Sequence, residues 1–148
     1  MTIQNSLRTI HQRNISFFQV LINSGEKLNS TTKYTKSPLV TALKIKNYKT
    51  ADILKQNGAK LKLSDIEQAQ ILNCIVAADQ NKNLETWIKY GADVNTADEF
   101  GRTVKHIAML NNNIDGYNLL ERYGAKDVAD KFGRFPKEYV RSVAETVS

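Results

Sequence analysis

Two histidines, one cysteine and a scatter of carboxylates are the side chains that could do chemistry in this chain. A transition-metal site needs three or four converging ligands. His11, Cys74 and His106 stand too far apart to make a metal motif. A nucleophilic Cys74 would need a base and a cleft. It falls in the apolar run 71–78 and is expected to be buried filler. Asp93, Asp98 and Asp130 lack the ligand density of a calcium loop and are expected to cap turns. The glycines never cluster, so no loop cradles phosphate. No nucleophile elbow and no acid–base pair stands out. The expectation is a chain with no catalytic residue, no cofactor and no metal.

The frame that positions these residues is set by glycine. Gly25, Gly58, Gly91 and Gly124 stand at equal intervals of 33 residues, each after an apolar run. Those runs read as helices, and each glycine as the left-handed residue that ends one. Extended stretches follow, over 26–29, 59–63, 92–95 and 125–128. Asp98-Glu99-Phe100-Gly101-Arg102-Thr103 reads as a turn feeding the next helix, and Asp130-Lys131-Phe132-Gly133-Arg134-Phe135-Pro136 repeats it after a stretch one residue shorter. Ser64 followed by Glu67 is a capping-box pattern that starts a helix. The next helix is expected to begin near Asn83.

Twelve residues after Gly25 comes Ser37-Pro38-Leu39-Val40-Thr41-Ala42, and twelve after Gly91 comes Thr103-Val104-Lys105-His106-Ile107-Ala108. The hydroxyls can cap a helix, and Pro38 suits a first helical turn. Leu39 and Ala42 share a face. Both strings resemble the ankyrin motif Thr-Pro-Leu-His-x-Ala, and a 33-residue period is that family's signature. The resemblance implies an all-α ankyrin-repeat solenoid of stacked helix-turn-helix repeats with short extended finger turns. It implies one domain, 1–148, with repeats at about 1–33, 34–66, 67–99 and 100–132 and a C-terminal cap over 133–148. It also implies that His106 bonds to backbone near the inter-repeat turn. Phe17, Phe18, Ile53, Leu54, Trp87, Leu119 and Leu120 are the expected core of the second helices, each contributing ~1.5–3 kcal/mol when fully buried.

Residues 37–108 are also similar to the ankyrin tail of L-asparaginases of the lysophospholipase-related type. The likeness runs through Ser64-Asp65-Ile66-Glu67, Leu72-Asn73-Cys74-Ile75-Val76-Ala77, Leu84-Glu85-Thr86-Trp87 and the Gly91–Ala108 stretch. The Thr-Gly-Gly-Thr string of the asparaginase nucleophile region does not occur. That resemblance therefore implies a regulatory or assembly segment of an amidohydrolase, without catalysis of its own.

Composition fits a soluble folded domain: 148 residues, 41% hydrophobic and 24% charged. No apolar run approaches the ~20 residues of a membrane span. A single cysteine fits a reducing compartment, so a cytoplasmic setting is expected, or a host cell if the chain is a delivered effector. The net charge of +6 is uneven. Residues 1–64 carry 11 Lys/Arg against 2 Asp/Glu, and residues 65–148 carry 10 against 13. The resemblance implies a protein partner, bound by a monomer on a concave surface of fingers and inner helices. Lys33, Tyr34, Lys36, Thr41, Lys44, Lys62, Asp98, Glu99, Phe100, Lys131 and Phe132 are its candidate contacts. The basic half would suit an acidic partner, and an electrostatic binder of nucleic acid or anionic lipid is the remaining alternative. Phe100 and Phe132 could serve finger packing as well as contact.

Overall fold

The computed structural model describes residues 37–140. These are all-helical, with no β-strand among them and one isolated antiparallel bridge, Ala97 to Thr103. The chain divides into two compact units, Met1–Lys62 and Leu63–Ser148. Gly25, His11, Phe17, Phe18 and the whole expected first repeat lie outside the described residues.

In the first unit, α1 (Pro38–Lys44) packs against α2 (Tyr48–Gln56). Pro38 opens α1, where its missing N–H costs nothing. Leu39, Val40, Ala42 and Leu43 are buried on α1, and Thr50, Ala51 and Leu54 on α2. Ile53, expected in the core, is only half-buried, because it sits one position off the inward stripe of α2. The Ser37 hydroxyl does not cap α1. It donates to the Lys60 carbonyl at 3.0 Å and ties the start of α1 to the stretch that follows α2.

The second unit holds α3 (Asp65–Ala77), α4 (Asn81–Lys89), α5 (Val104–Leu110), α6 (Ile114–Arg122) and a 3-10 turn, Pro136–Tyr139. Helix α3 packs against α4 and α5, α5 against α6 and the 3-10 turn, and α4 against α6. The unit thus has one row of first helices and one of second helices. Trp87, Leu84, Leu119 and Leu120 are buried in the second row, Leu72, Val76, Val104 and Ala108 in the first.

The period is written into the helix ends. Helices α2, α4 and α6 have nine residues each and start at 48, 81 and 114. Gly58, Gly91 and Gly124 follow them at φ of 90°, 107° and 81°. In each case the glycine N–H and the next N–H reach back to the helix's last turn, at 2.9–3.0 Å, in Schellman fashion. The same closure ends α1, α3 and α5, on residues that are not glycine. Lys46, Asp79 and Asn112, again 33 apart, adopt φ of 58°, 57° and 56°.

Helix α3 breaks the pattern at its start. It has 13 residues where α1 and α5 have 7, and all the excess is N-terminal. The capping box of Ser64 and Glu67 nucleates that extra turn, as the sequence suggested. Its Gln68 then accepts the Asp93 N–H at 3.0 Å. Only residues 57–64 separate α2 from α3, whereas residues 90–103 separate α4 from α5. The shorter link carries no bridged turn. Helix α4 starts at Asn81 rather than near Asn83, because the left-handed Asp79 closes α3 and turns the chain at once. Cys74 is exposed on α3. Ala69, Leu72, Ile75 and Val76 take the inward stripe, so its place in an apolar run does not bury it.

One buried cluster fastens the helix pairs of this unit. The Asn113 side-chain oxygen Oδ1 accepts the Gly116 N–H at 2.8 Å, capping α6, while its side-chain Nδ2 donates to the Val76 carbonyl at 3.0 Å and to Asn81 Oδ1 at 2.8 Å. A Cβ on Gly116 would stand 2.6–2.9 Å from the Asn113 side-chain atoms. Glycine to alanine within a helix ordinarily gains ~1 kcal/mol. Here the sign should reverse. Gly116→Ala must displace Asn113, losing a cap and a buried hydrogen bond, for a net cost of about 1–2 kcal/mol. A urea midpoint that rises for this variant would refute the packing.

Candidate functional site

The second unit builds the same turn twice. In the first copy, Asp98 Oδ1 accepts the Phe100 and Arg102 N–H groups at 2.9 Å each, and Oδ2 accepts Arg102 Nε at 2.8 Å. In the second, Asp130 Oδ1 accepts from Phe132 and Arg134 at 2.8 and 2.9 Å, and Oδ2 pairs with Arg134 Nε at 3.3 Å. Aspartate suits this role because its short carboxylate reaches backbone two and four residues on. Gly101 and Gly133 supply the left-handed step, at φ of 74° and 78°. Each arginine lies over the phenylalanine of its own turn, 5.0 Å from the Phe100 centroid and 5.2 Å from the Phe132 centroid. Phe100 and Phe132 still expose 48% and 67% of their surface. Aromatic rings held this far out in water on hydrogen-bonded turns are available to a partner.

The two turns are joined. The Lys131 N–H donates to the Phe100 carbonyl at 2.9 Å, and a Cβ on Gly101 would meet the Lys131 nitrogen at 2.9 Å. Below them, the Thr103 N–H donates to His106 Nδ1 at 3.0 Å. That leaves Nε2 to carry the ring proton, which it donates to the Arg134 carbonyl at 2.9 Å. The histidine therefore staples one turn to the next, as the motif resemblance implied. Tyr139 of the 3-10 turn meets the His106 ring edge-on at 5.0 Å, and its hydroxyl donates to Asp130 Oδ2.

Asp130 titrates abnormally for that reason. Burial alone would raise its carboxyl. The hydrogen bonds from Tyr139, Arg134 and Phe132, with the Arg134 charge, outweigh burial and hold the pKa at about 2. Its unfolded value is about 3.9. The native state thus gains from ionised Asp130 above roughly pH 4, and that gain disappears as pH falls toward 2. The thermal midpoint of the wild type should drop across this window more steeply than that of Asp130→Asn. Parallel curves would contradict the assignment.

The candidate contacts fall into three groups. Lys33, Tyr34 and Lys36 lie outside the described residues. Thr41, Lys44 and Lys62 are exposed and belong to the first unit. The Thr41 hydroxyl turns back to the Ser37 carbonyl at 3.3 Å. Asp98, Glu99, Phe100, Lys131 and Phe132 come together in the second unit. Within this group Asp98 is spent on its own turn, its side chain only 7% exposed. The expected turn capping by Asp98 and Asp130 is thus what the geometry shows. Among the described residues no group of three or more His, Cys, Asp or Glu side chains could hold a metal ion, and no helix is long and apolar enough to cross a membrane.

Lys105 is the residue that sequence reasoning passed over. It occupies the column of Leu39 and Leu72, 33 residues apart, and its side chain is 2% exposed. Its ammonium meets Asp127 at 2.6 Å and Glu121 at 3.3 Å, and lies 4.6 Å from the Tyr117 ring centroid. Burial pulls its pKa down, but the Asp127 and Glu121 carboxylates outweigh this and leave it raised. The signal was present: a lysine stood where the motif wants leucine, with Glu121 on the next helix and Asp127 in the stretch after it.

No protein-family model matches the chain. It is 26% identical over 124 residues to an L-asparaginase of Dirofilaria immitis, covering 83% of this chain and 21% of that protein. It is 33% identical over 95 residues to a protein of fowlpox virus (strain NVSL) whose name gives it ankyrin repeats, covering 62% of this chain and 16% of that protein. The chain spans at most about a fifth of the length of these relatives. All-helical described residues and a weak similarity to an ankyrin-repeat protein are what the fold and the comparisons together support.

Proposed function

We propose that this chain is a stack of ankyrin-type repeats and works as a non-catalytic protein-interaction module, without cofactor or metal. The observation that carries this is the pair of fixed turns presenting Phe100 and Phe132 to solvent. The 33-residue recurrence of helix ends and the fowlpox similarity support the repeat frame. Solenoid repeats bury a shared core between neighbours and leave their turns free for recognition. The exposed free thiol of Cys74 suits a reducing compartment.

The test is chemical cross-linking in lysate of the source cells, with intact protein and with Phe100→Ala plus Phe132→Ala. Both rings are exposed, so the double variant should melt within a few degrees of wild type. Specific cross-linked partners are expected to disappear. Undiminished recovery with both rings gone would sink the assignment of the surface.

A second reading is favoured by one observation, the L-asparaginase similarity over 83% of this chain. On that reading the repeats are a regulatory or assembly segment of an asparaginase-like amidohydrolase. An in-frame domain carrying a Thr-Gly-Gly-Thr string ahead of Met1 in the gene would support it, and a stop codon there would oppose it.

A further inference from the structure

The two turns share a backbone and differ in charge at one exposed position. Glu99 follows Asp98 in the first, and Lys131 follows Asp130 in the second. Both side chains are exposed. The other charges at these tips are consumed locally, since Asp98 is paired with Arg102 and Asp130 with Arg134. Glu99 and Lys131 are left as opposite charges beside two exposed phenylalanines.

We propose that the paired turns bind an extended peptide of fixed charge order. It sets one apolar side chain on Phe100 and another on Phe132, a basic residue beside Glu99 and an acidic one beside Lys131. This rests on the interaction-module reading and adds the chemistry of the partner. The Lys131 to Phe100 hydrogen bond and the close approach at Gly101 hold the two tips in one register. A prearranged surface spends little conformational entropy on binding. Charges at the rim of an apolar contact contribute mainly by fixing orientation and rejecting the reversed partner. The opposite signs of Glu99 and Lys131 make the two orientations inequivalent, which two identical turns could not do.

The probe is a random-peptide phage library panned on the full-length protein. Wild type should enrich peptides with two apolar positions and a basic and an acidic residue in constant order. A variant combining Glu99→Lys and Lys131→Glu should enrich the reversed order and bind wild-type-selected peptides about tenfold more weakly. Glu99→Gln with Lys131→Gln should keep apolar enrichment and lose the order. If selected peptides bind the charge-reversed variant unchanged but fail on Phe100→Ala plus Phe132→Ala, the charge order is wrong and the interaction module stands. If no peptide is enriched, or if binding survives removal of both rings, the two ideas fall together.

Discussion

Trp87→Ala is expected to destabilise the protein by about 3–5 kcal/mol, the range for deleting a large buried aromatic side chain. Trp87 is 3% exposed on α4, a helix that packs against both α3 and α6. The substitution leaves a void where that buried ring stood. The Trp87 backbone carbonyl also accepts the Ala92 N–H at 3.0 Å, within the closure that ends the helix. In a chain of this size the loss corresponds to a drop of roughly 6–20 °C in the thermal midpoint. Trp87→Phe should recover much of it, because most of the volume returns. A melting curve for the alanine variant that overlays wild type would mean that the second helices do not share a core.

The other large effect concerns Lys105, where two kinds of substitution should part company. Removing both carboxylates, with Glu121→Gln and Asp127→Asn, strands an ammonium whose side chain is 2% exposed. Breaking a buried pair from one side costs ~3–5 kcal/mol, and the lower end, about 3 kcal/mol, is expected. The discount arises because Glu121 and Asp127 are themselves nearly half exposed, at 47% and 46%, so water already screens them. Lys105→Met removes the charge and keeps the volume, and both carboxylates can rehydrate. That variant should lie within about 1 kcal/mol of wild type and could exceed it. Equal destabilisation by the two changes, in denaturant titrations at pH 7, would show that packing rather than the ion cluster holds Lys105 in place.

The helix ends were legible because glycine is tied to a single backbone need. Gly58, Gly91 and Gly124 all take the left-handed geometry their spacing implied. Lys46, Asp79 and Asn112 do the same job on the same period and were invisible, since nothing in their side chains demands positive φ. There the surrounding turn imposes the conformation and absorbs its cost. The duplicated Asp-x-Phe-Gly-Arg string gave away the paired turns for a similar local reason: its hydrogen bonds span only four residues.

What the sequence determined by itself was the rhythm: where helices stop, the Ser64–Glu67 box that starts α3, and that carboxylates close the turns. These follow from interactions within a few residues of each other. Tertiary structure alone decided which side of a helix faces inward, and so turned Cys74 out and left Ile53 half-covered. It alone buried Lys105 between carboxylates 16 and 22 residues further on, and gave His106 its acceptor on Arg134, 28 residues away. Burial and long-range pairing depend on how neighbouring helices stack, and a period fixes their order without fixing the few degrees of rotation that choose the inward face.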